Sequence, residues 1–171
     1  AGMNLSGSEG YVIRRMVRPE LDDALKSAAA EGWNPGLRDG EAFWAADEGG
    51  YFVGELDGRV AASISAVRYA AKGPAGQESC AGQAGQAGQI GQIGQIEQTG
   101  PAFGFIGLYI VRRELRGRGL GKRLWDAAQA GLDAAPCIGL DAVLAQVDTY
   151  RAAGFALARI SRRYEGAAGG D

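Results

Sequence analysis

Tyr109-Ile-Val-Arg-Arg-Glu-Leu-Arg-Gly-Arg-Gly-Leu-Gly-Lys-Arg-Leu124 carries the densest structural signal in the chain. Residues 103–111 form an apolar run that ends in its first residues and reads as a strand. A glycine-rich turn follows over 116–121. Leu120, Leu124, Ala127 and Gly131 then recur at helical spacing, so a helix begins there. A strand, a glycine turn and a helix N-terminus together make an anion site. The glycines let backbone N–H groups converge, and the first helical turn leaves donors unpaired at the positive end of its dipole. A phosphate or diphosphate is the natural ligand; a ligand-free glycine turn is the plain alternative. The P-loop pattern fails, because Arg116 stands where its first glycine belongs and Arg123 follows Gly121-Lys122. The dinucleotide pattern fails too, because Lys122 takes the place of its last glycine.

What fits is Arg/Gln-x-x-Gly-x-Gly/Ala, as Arg116-Gly117-Arg118-Gly119-Leu120-Gly121. Behind a strand ending at Val111, this resembles the acetyl-CoA-binding motif of the GNAT N-acetyltransferases. Tyr150-Arg-Ala-Ala-Gly-Phe155 resembles the Tyr-x-x-x-Gly-Phe segment of the same family, at a separation that leaves room for a helix, a strand and a short helix. The resemblance covers roughly residues 11–166. Gly32-Trp-Asn-Pro-Gly36 further resembles a bacterial subgroup in which a second domain often follows the catalytic one.

Bulk properties narrow the field. A chain of 171 residues is one domain by size and long enough for a substantial core. Its 18 basic and 20 acidic residues leave a net charge of −2, which favours neither nucleic acid nor disorder. No apolar run approaches a membrane span and no signal peptide is evident, so no membrane is expected. Cys80 and Cys137 sit in no metal or redox spacing, and a reducing cytoplasm is the simple inference. With no histidine in the chain, imidazole catalysis and His-ligated zinc are excluded. No metal is expected.

In chain order, residues 1–10 read as a disordered leader and 11–17 as a strand. Pro19 opens a helix with Glu20, Asp22 and Asp23 in its first turn, and Gly32 closes it. Those acids read as helix-end charges. Asp39 is expected to cap a short helix presenting Phe43 and Trp44. Residues 51–56 and 59–70 are strands joined by the hairpin pair Asp57-Gly58. In the second of these, Val60, Ala62, Ile64 and Ala66 mark one face. Ala61, Ser63, Ser65 and Val67 mark the other, with water the preferred surrounding for the two serines. Residues 73–100 interrupt the sheet with x-Gly-Gln triplets. These cannot bury enough apolar surface to offset ordering, so a mobile insert without a role is expected, whose removal leaves turnover intact. Strand 103–111, helix 120–132, strand 137–143, short helix 146–153 and strand 155–163 follow, then a tail over 167–171.

The expected fold is mixed α/β, a GNAT-like β-α-α-β-β-β-α-β-α-β with a central mixed sheet flanked by helices. The family's seventh strand is missing. Either a further domain follows, or another segment or a second subunit, as in a homodimer, fills that edge.

The resemblance implies a site. Backbone amides of Gly117 to Gly121, Leu120 included, would hold the diphosphate of the cosubstrate acetyl-CoA, with charge from Arg116 and Arg118. Backbone groups of Tyr109, Ile110 and Val111 would pair with the pantetheine arm. Tyr150 matches the family tyrosine that protonates the departing thiolate; packing of its helix is the alternative. Trp33, Asn34, Asp39 and Phe43 lie where acceptors bind in the family; core packing is the plainer explanation for Trp33 and Phe43, as for Trp44. No acid falls on residues 103–111, which leaves Asp141 and Glu55 as weak candidates for a general base. Gln146 stands near the family's coenzyme-contacting asparagine position, which is Val143 here. The reading is an N-acetyltransferase acting on a small-molecule or protein amine. A catalytically inactive acyl-CoA-binding regulatory module is the alternative, and an assembly module a third.

Overall fold

A computed structural model describes residues 10–36, 38–70, 101–133, 135 and 137–160. The expected leader (save Gly10), the triplet insert, the tail and the last part of the expected final strand lie outside the described residues. The described residues fall into two compact units, one ending at Asp141 and the other covering 142–160.

The first unit holds one five-stranded sheet in the order β1-β2-β3-β4-β5. Its strands are β1 (Tyr11–Arg15), β2 (Tyr51–Leu56), β3 (Arg59–Ala70), β4 (Pro101–Val111) and β5 (Ile138–Leu140). Among the first four each runs antiparallel to its neighbours, and β5 runs parallel to β4, so the sheet is mixed as expected. Between β1 and β2 lie α1 (Arg18–Ala30) and α2 (Asp39–Ala46); α3 (Leu120–Ala130) connects β4 to β5. The second unit carries α4 (Val147–Ala152).

Local chemistry accounts for most element ends. Asp57 and Gly58 both take positive φ, 52° and 76°, the geometry of a two-residue hairpin turn. α1 begins where the Glu20 carboxylate accepts the Val17 N–H at 2.9 Å. It ends at Gly32, φ 83°, with Gly32 N–H on Ala29 O and Trp33 N–H on Ala28 O, a Schellman closure. One face of the sheet packs Met16, Leu21, Ala24, Tyr51, Val53 and Val67 together, with Trp44 stacked on Tyr51 at 5.6 Å. Leu120, Leu124 and Ala128 bury the apolar stripe of α3. Among the described residues no helix is long and apolar enough to cross a membrane.

Four expectations are corrected. Asp39 does not cap α2: it sits inside the first turn and its carboxylate accepts the Gly36 N–H at 2.7 Å, closing the preceding loop instead. The faces of β3 do not alternate strictly. Ala62 faces Gly54 while Val60 faces Glu55, so Ala61 is an extra residue, a bulge that turns it into the core with Tyr11 and Leu120. Ser63 and Ser65 are buried, not solvated; Ser63 Oγ donates to Leu108 O at 2.9 Å, which satisfies the hydroxyl away from water. Residues 155–160 form no strand, and their apolar side chains Leu157 and Ile160 stay exposed, so no sheet edge collects them.

Candidate functional site

β4 is the element that builds the site. Arg112 N–H donates to Ala61 O, so Ile110, two residues back and opposite Ser63, also turns its amide and carbonyl toward β3. Val111, between them, turns its own outward. β5 pairs only with Gly104, Phe105 and Ile106. Beyond Ile106 that ladder stops, and at Val111 the outer edge of β4 has no ladder partner among the described residues. Between Ile106 and Val111 the strand carries a second bulge: Ser63 faces Ile110 but Ser65 faces Gly107, and Leu108 takes φ 48°. A leucine there stores roughly 1–2 kcal/mol of backbone strain, and the Ser63 hydroxyl on its carbonyl holds it in place.

Beyond Val111 a single 3₁₀ turn, Arg113–Leu115, leads into the glycine turn. Gly117 and Gly119 take φ 76° and 78°, which L side chains rarely adopt. Gly119 is the residue from which α3 starts. The first turn of a helix has no intrahelical acceptors for its N–H groups. Among the described residues, the amides from Gly117 to Lys122 donate to no protein acceptor. They border a cavity of ≈ 210 Å³ whose wall includes Tyr109, Val111, Arg116 and Gly121. At Gly121 a Cβ would come 2.9 Å from Val111 Cγ2, so helix and strand approach too closely for a larger residue without a shift.

The side chains around the turn are less simple than the backbone. Arg116 is exposed but engaged: its Nε donates to Val111 O at 2.8 Å and Nη2 to Glu31 Oε1 at 2.9 Å. Arg113 Nε reaches the same Glu31 oxygen at 3.2 Å. The Arg116 hydrogen bond, then that from Arg113, hold the Glu31 carboxyl below its usual range. Arg118 is exposed, and Lys122 pairs with Asp126 one helical turn on.

The structure thus brings together Tyr109, Val111, Arg116, Gly117, Gly119, Leu120 and Gly121. Ile110 is set apart, lining a different cavity of ≈ 340 Å³ with Ser63, Arg112 and the α1 residues Glu20, Asp23 and Ser27. Of the weaker candidates, Trp33 is half-buried and Asn34 exposed with φ 46°. Asp39 is engaged with Gly36, and Phe43 is exposed. Glu55 bonds Arg14 at 2.9 Å and Asp141 is exposed. Tyr150 lies in the second unit on α4, half-buried, its ring 6.2 Å from and edge-on to Phe155. Burial pushes its phenol up from the ordinary tyrosine value. Sequence reasoning passed over Glu31 and Leu108, and set Ser63 in water. A register offset and a contact between distant residues leave no local pattern to read.

The Acetyltransferase (GNAT) family model matches residues 18–158. A holothin acyltransferase from Pseudoalteromonas sp. (strain SANK 73390) is 28% identical over 128 residues. The match takes in 75% of this chain and 33% of that protein, so the chain spans about a third of that relative's length. Glucosamine-6-phosphate N-acetyltransferase from Arabidopsis thaliana superposes with a TM-score of 0.57 at 15% identity, over 91% of this chain and 97% of that one. A predicted acetyltransferase from Clostridium acetobutylicum, crystallised with acetyl-CoA, does so with a TM-score of 0.59 at 12% identity, over 91% and 96%. At such identities the structural likeness is one of fold.

Proposed function

The chain belongs to the GNAT acetyltransferase family, and from that premise we propose that it transfers the acetyl group of acetyl-CoA to an amine. The observation that carries the proposal is the row of amides from Gly117 to Lys122, which donate to no acceptor among the described residues, beside the outward-turned N–H of Val111. The amides, with the α3 dipole behind them, suit a diphosphate. The outward N–H of Val111 suits the amide-bearing arm that follows the diphosphate in coenzyme A, taken as one more strand. A relative crystallised with acetyl-CoA shares the fold, which supports the same donor.

Chemically, a neutral amine attacks the thioester carbonyl; a C–N bond forms, the C–S bond breaks, and the amine's surplus proton leaves to solvent. The departing thiolate takes a proton from Tyr150. A phenol kept protonated by burial is suited to that duty at neutral pH. Glu55, tied to Arg14, is withdrawn from base chemistry. The substrate class is an amine, small or borne on a protein; the loops that would select it have no readable code.

Two measurements test the reading. Calorimetry with CoA should give one site per chain, and a panel of amines should release CoA thiol from acetyl-CoA with at least one member. A chain that binds no CoA ends the proposal. A chain that binds CoA but releases none with any amine is instead a regulatory module.

A further inference from the structure

The Arg116 guanidinium is the obvious cation to set against a diphosphate, yet its Nε and Nη2 are already engaged by acceptors of the protein itself. Nε caps Val111 O at 2.8 Å and Nη2 reaches Glu31 at 2.9 Å. Val111 faces outward from the sheet, so its carbonyl oxygen lies on the edge beside the anion cavity. Left bare, that oxygen would turn a negative dipole end toward an incoming phosphate. Swinging Arg116 onto the phosphate would expose it. Glu31, just past the last residue of α1, fixes the other end of the fork and takes Arg113 from the intervening 3₁₀ turn as well. One carboxylate oxygen therefore gathers the turn's two flanking arginines, and the loop carrying Trp33 and Asn34 starts two residues further on.

We propose that Glu31 and Arg116 act as positioning residues for the donor site, holding the glycine turn against the end of β4 and masking the Val111 carbonyl, while the backbone amides grip the anion. This rests on the donor reading above. It differs from a direct arginine–phosphate contact in the sign of one experiment. If Arg116 met the phosphate, releasing it from Glu31 would strengthen binding. If it is a brace, releasing it weakens binding.

The experiment is calorimetry with CoA on the full chain, for wild type, Glu31→Gln and Arg116→Lys. Lysine keeps the charge but cannot bridge two acceptors with a planar fork. Both variants should raise the CoA Kd about tenfold, the scale set by a small displacement of a binding group. The acetyl-CoA KM should rise in parallel, with kcat at saturation within about twofold. An exposed ion pair is worth only ~0–1 kcal/mol, so melting should barely shift. Should Glu31→Gln fold poorly, Glu31→Ala, which also releases Arg116, carries the same test of sign. Unchanged or tighter CoA binding in Glu31→Gln, or wild-type affinity in Arg116→Lys, overturns the inference and leaves the donor reading standing. Failure of the wild type to bind CoA removes both.

Discussion

Gly117 and Gly119 stand where there is room for a side chain but no backbone freedom for one: nothing lies within 4 Å of either hypothetical Cβ, yet both φ values are positive. Gly119→Ala therefore acts through strain alone, about 1–2 kcal/mol, relieved by letting the turn open. CoA binding should weaken about tenfold, as 1.4 kcal/mol implies, with the core intact by circular dichroism. Wild-type affinity in this variant would mean that the turn does not hold the anion. Tyr11 poses the opposite case. Its ring is buried against Gly54 and faces Arg123 at 5.0 Å, but its hydroxyl is buried with no hydrogen-bond partner among the described residues. An unsatisfied buried hydroxyl costs about 1–3 kcal/mol. Tyr11→Phe keeps the ring and removes the cost, so the urea midpoint should hold or rise. A marked fall would reveal a partner, such as a buried water.

At the scale of elements, α1 depends on a charge cluster at its start. Arg14 donates to both Glu20 oxygens, at 2.7 and 2.8 Å, and to Glu55, while Glu20 also accepts the Val17 N–H. The Arg14 bond, helped by Val17 and opposed by burial, lowers the Glu20 pKa. A lowered carboxylate stabilises the fold fully above its unfolded value near 4.5, and that share is lost as pH falls through the folded value. Melting followed from about pH 6 to pH 3 should drop more steeply in wild type than in Glu20→Gln. The variant should cost about 1–2 kcal/mol at neutral pH, the worth of hydrogen bonds to a charged group. Parallel curves would remove Glu20 from the acid response. α1 was legible because its signals are local: Pro19 at the start, Gly32 at the end. The hairpin at Asp57-Gly58 was legible for the same reason, and so was the glycine turn. The two bulges were not. Whether Ala61 or Leu108 is the extra residue depends on its partner strand, and no property of an alanine or a leucine announces it. The Ser63–Leu108 hydrogen bond sits at the second bulge and was hidden with it. The final strand failed differently: the apolar residues at 157 and 160 promised a ladder, and the described sheet ends at β5 without them.

Across the full chain, the proposed reaction asks for two separable functions, donor binding and proton delivery. The first would fall to the Gly117–Lys122 amides and the outward N–H of Val111, the second to Tyr150 on α4. Binding and proton transfer enter different constants, which makes the division measurable. Tyr150→Phe should lower kcat about 10²–10⁴-fold, the usual worth of a positioned acid, and leave the CoA Kd unchanged. Because burial raises the phenol above 10, wild type should lose no activity through this group on the alkaline side until beyond that pH. Gly119→Ala should act on Kd and KM alone. The double variant should then show the product of the two losses in kcat/KM, since neither change alters the step the other governs. A double variant no worse than Tyr150→Phe would show that the turn orients the thioester for the chemical step as well as binding it. A Tyr150→Phe variant with wild-type kcat would instead leave α4 with a packing tyrosine and the thiolate with solvent as its acid.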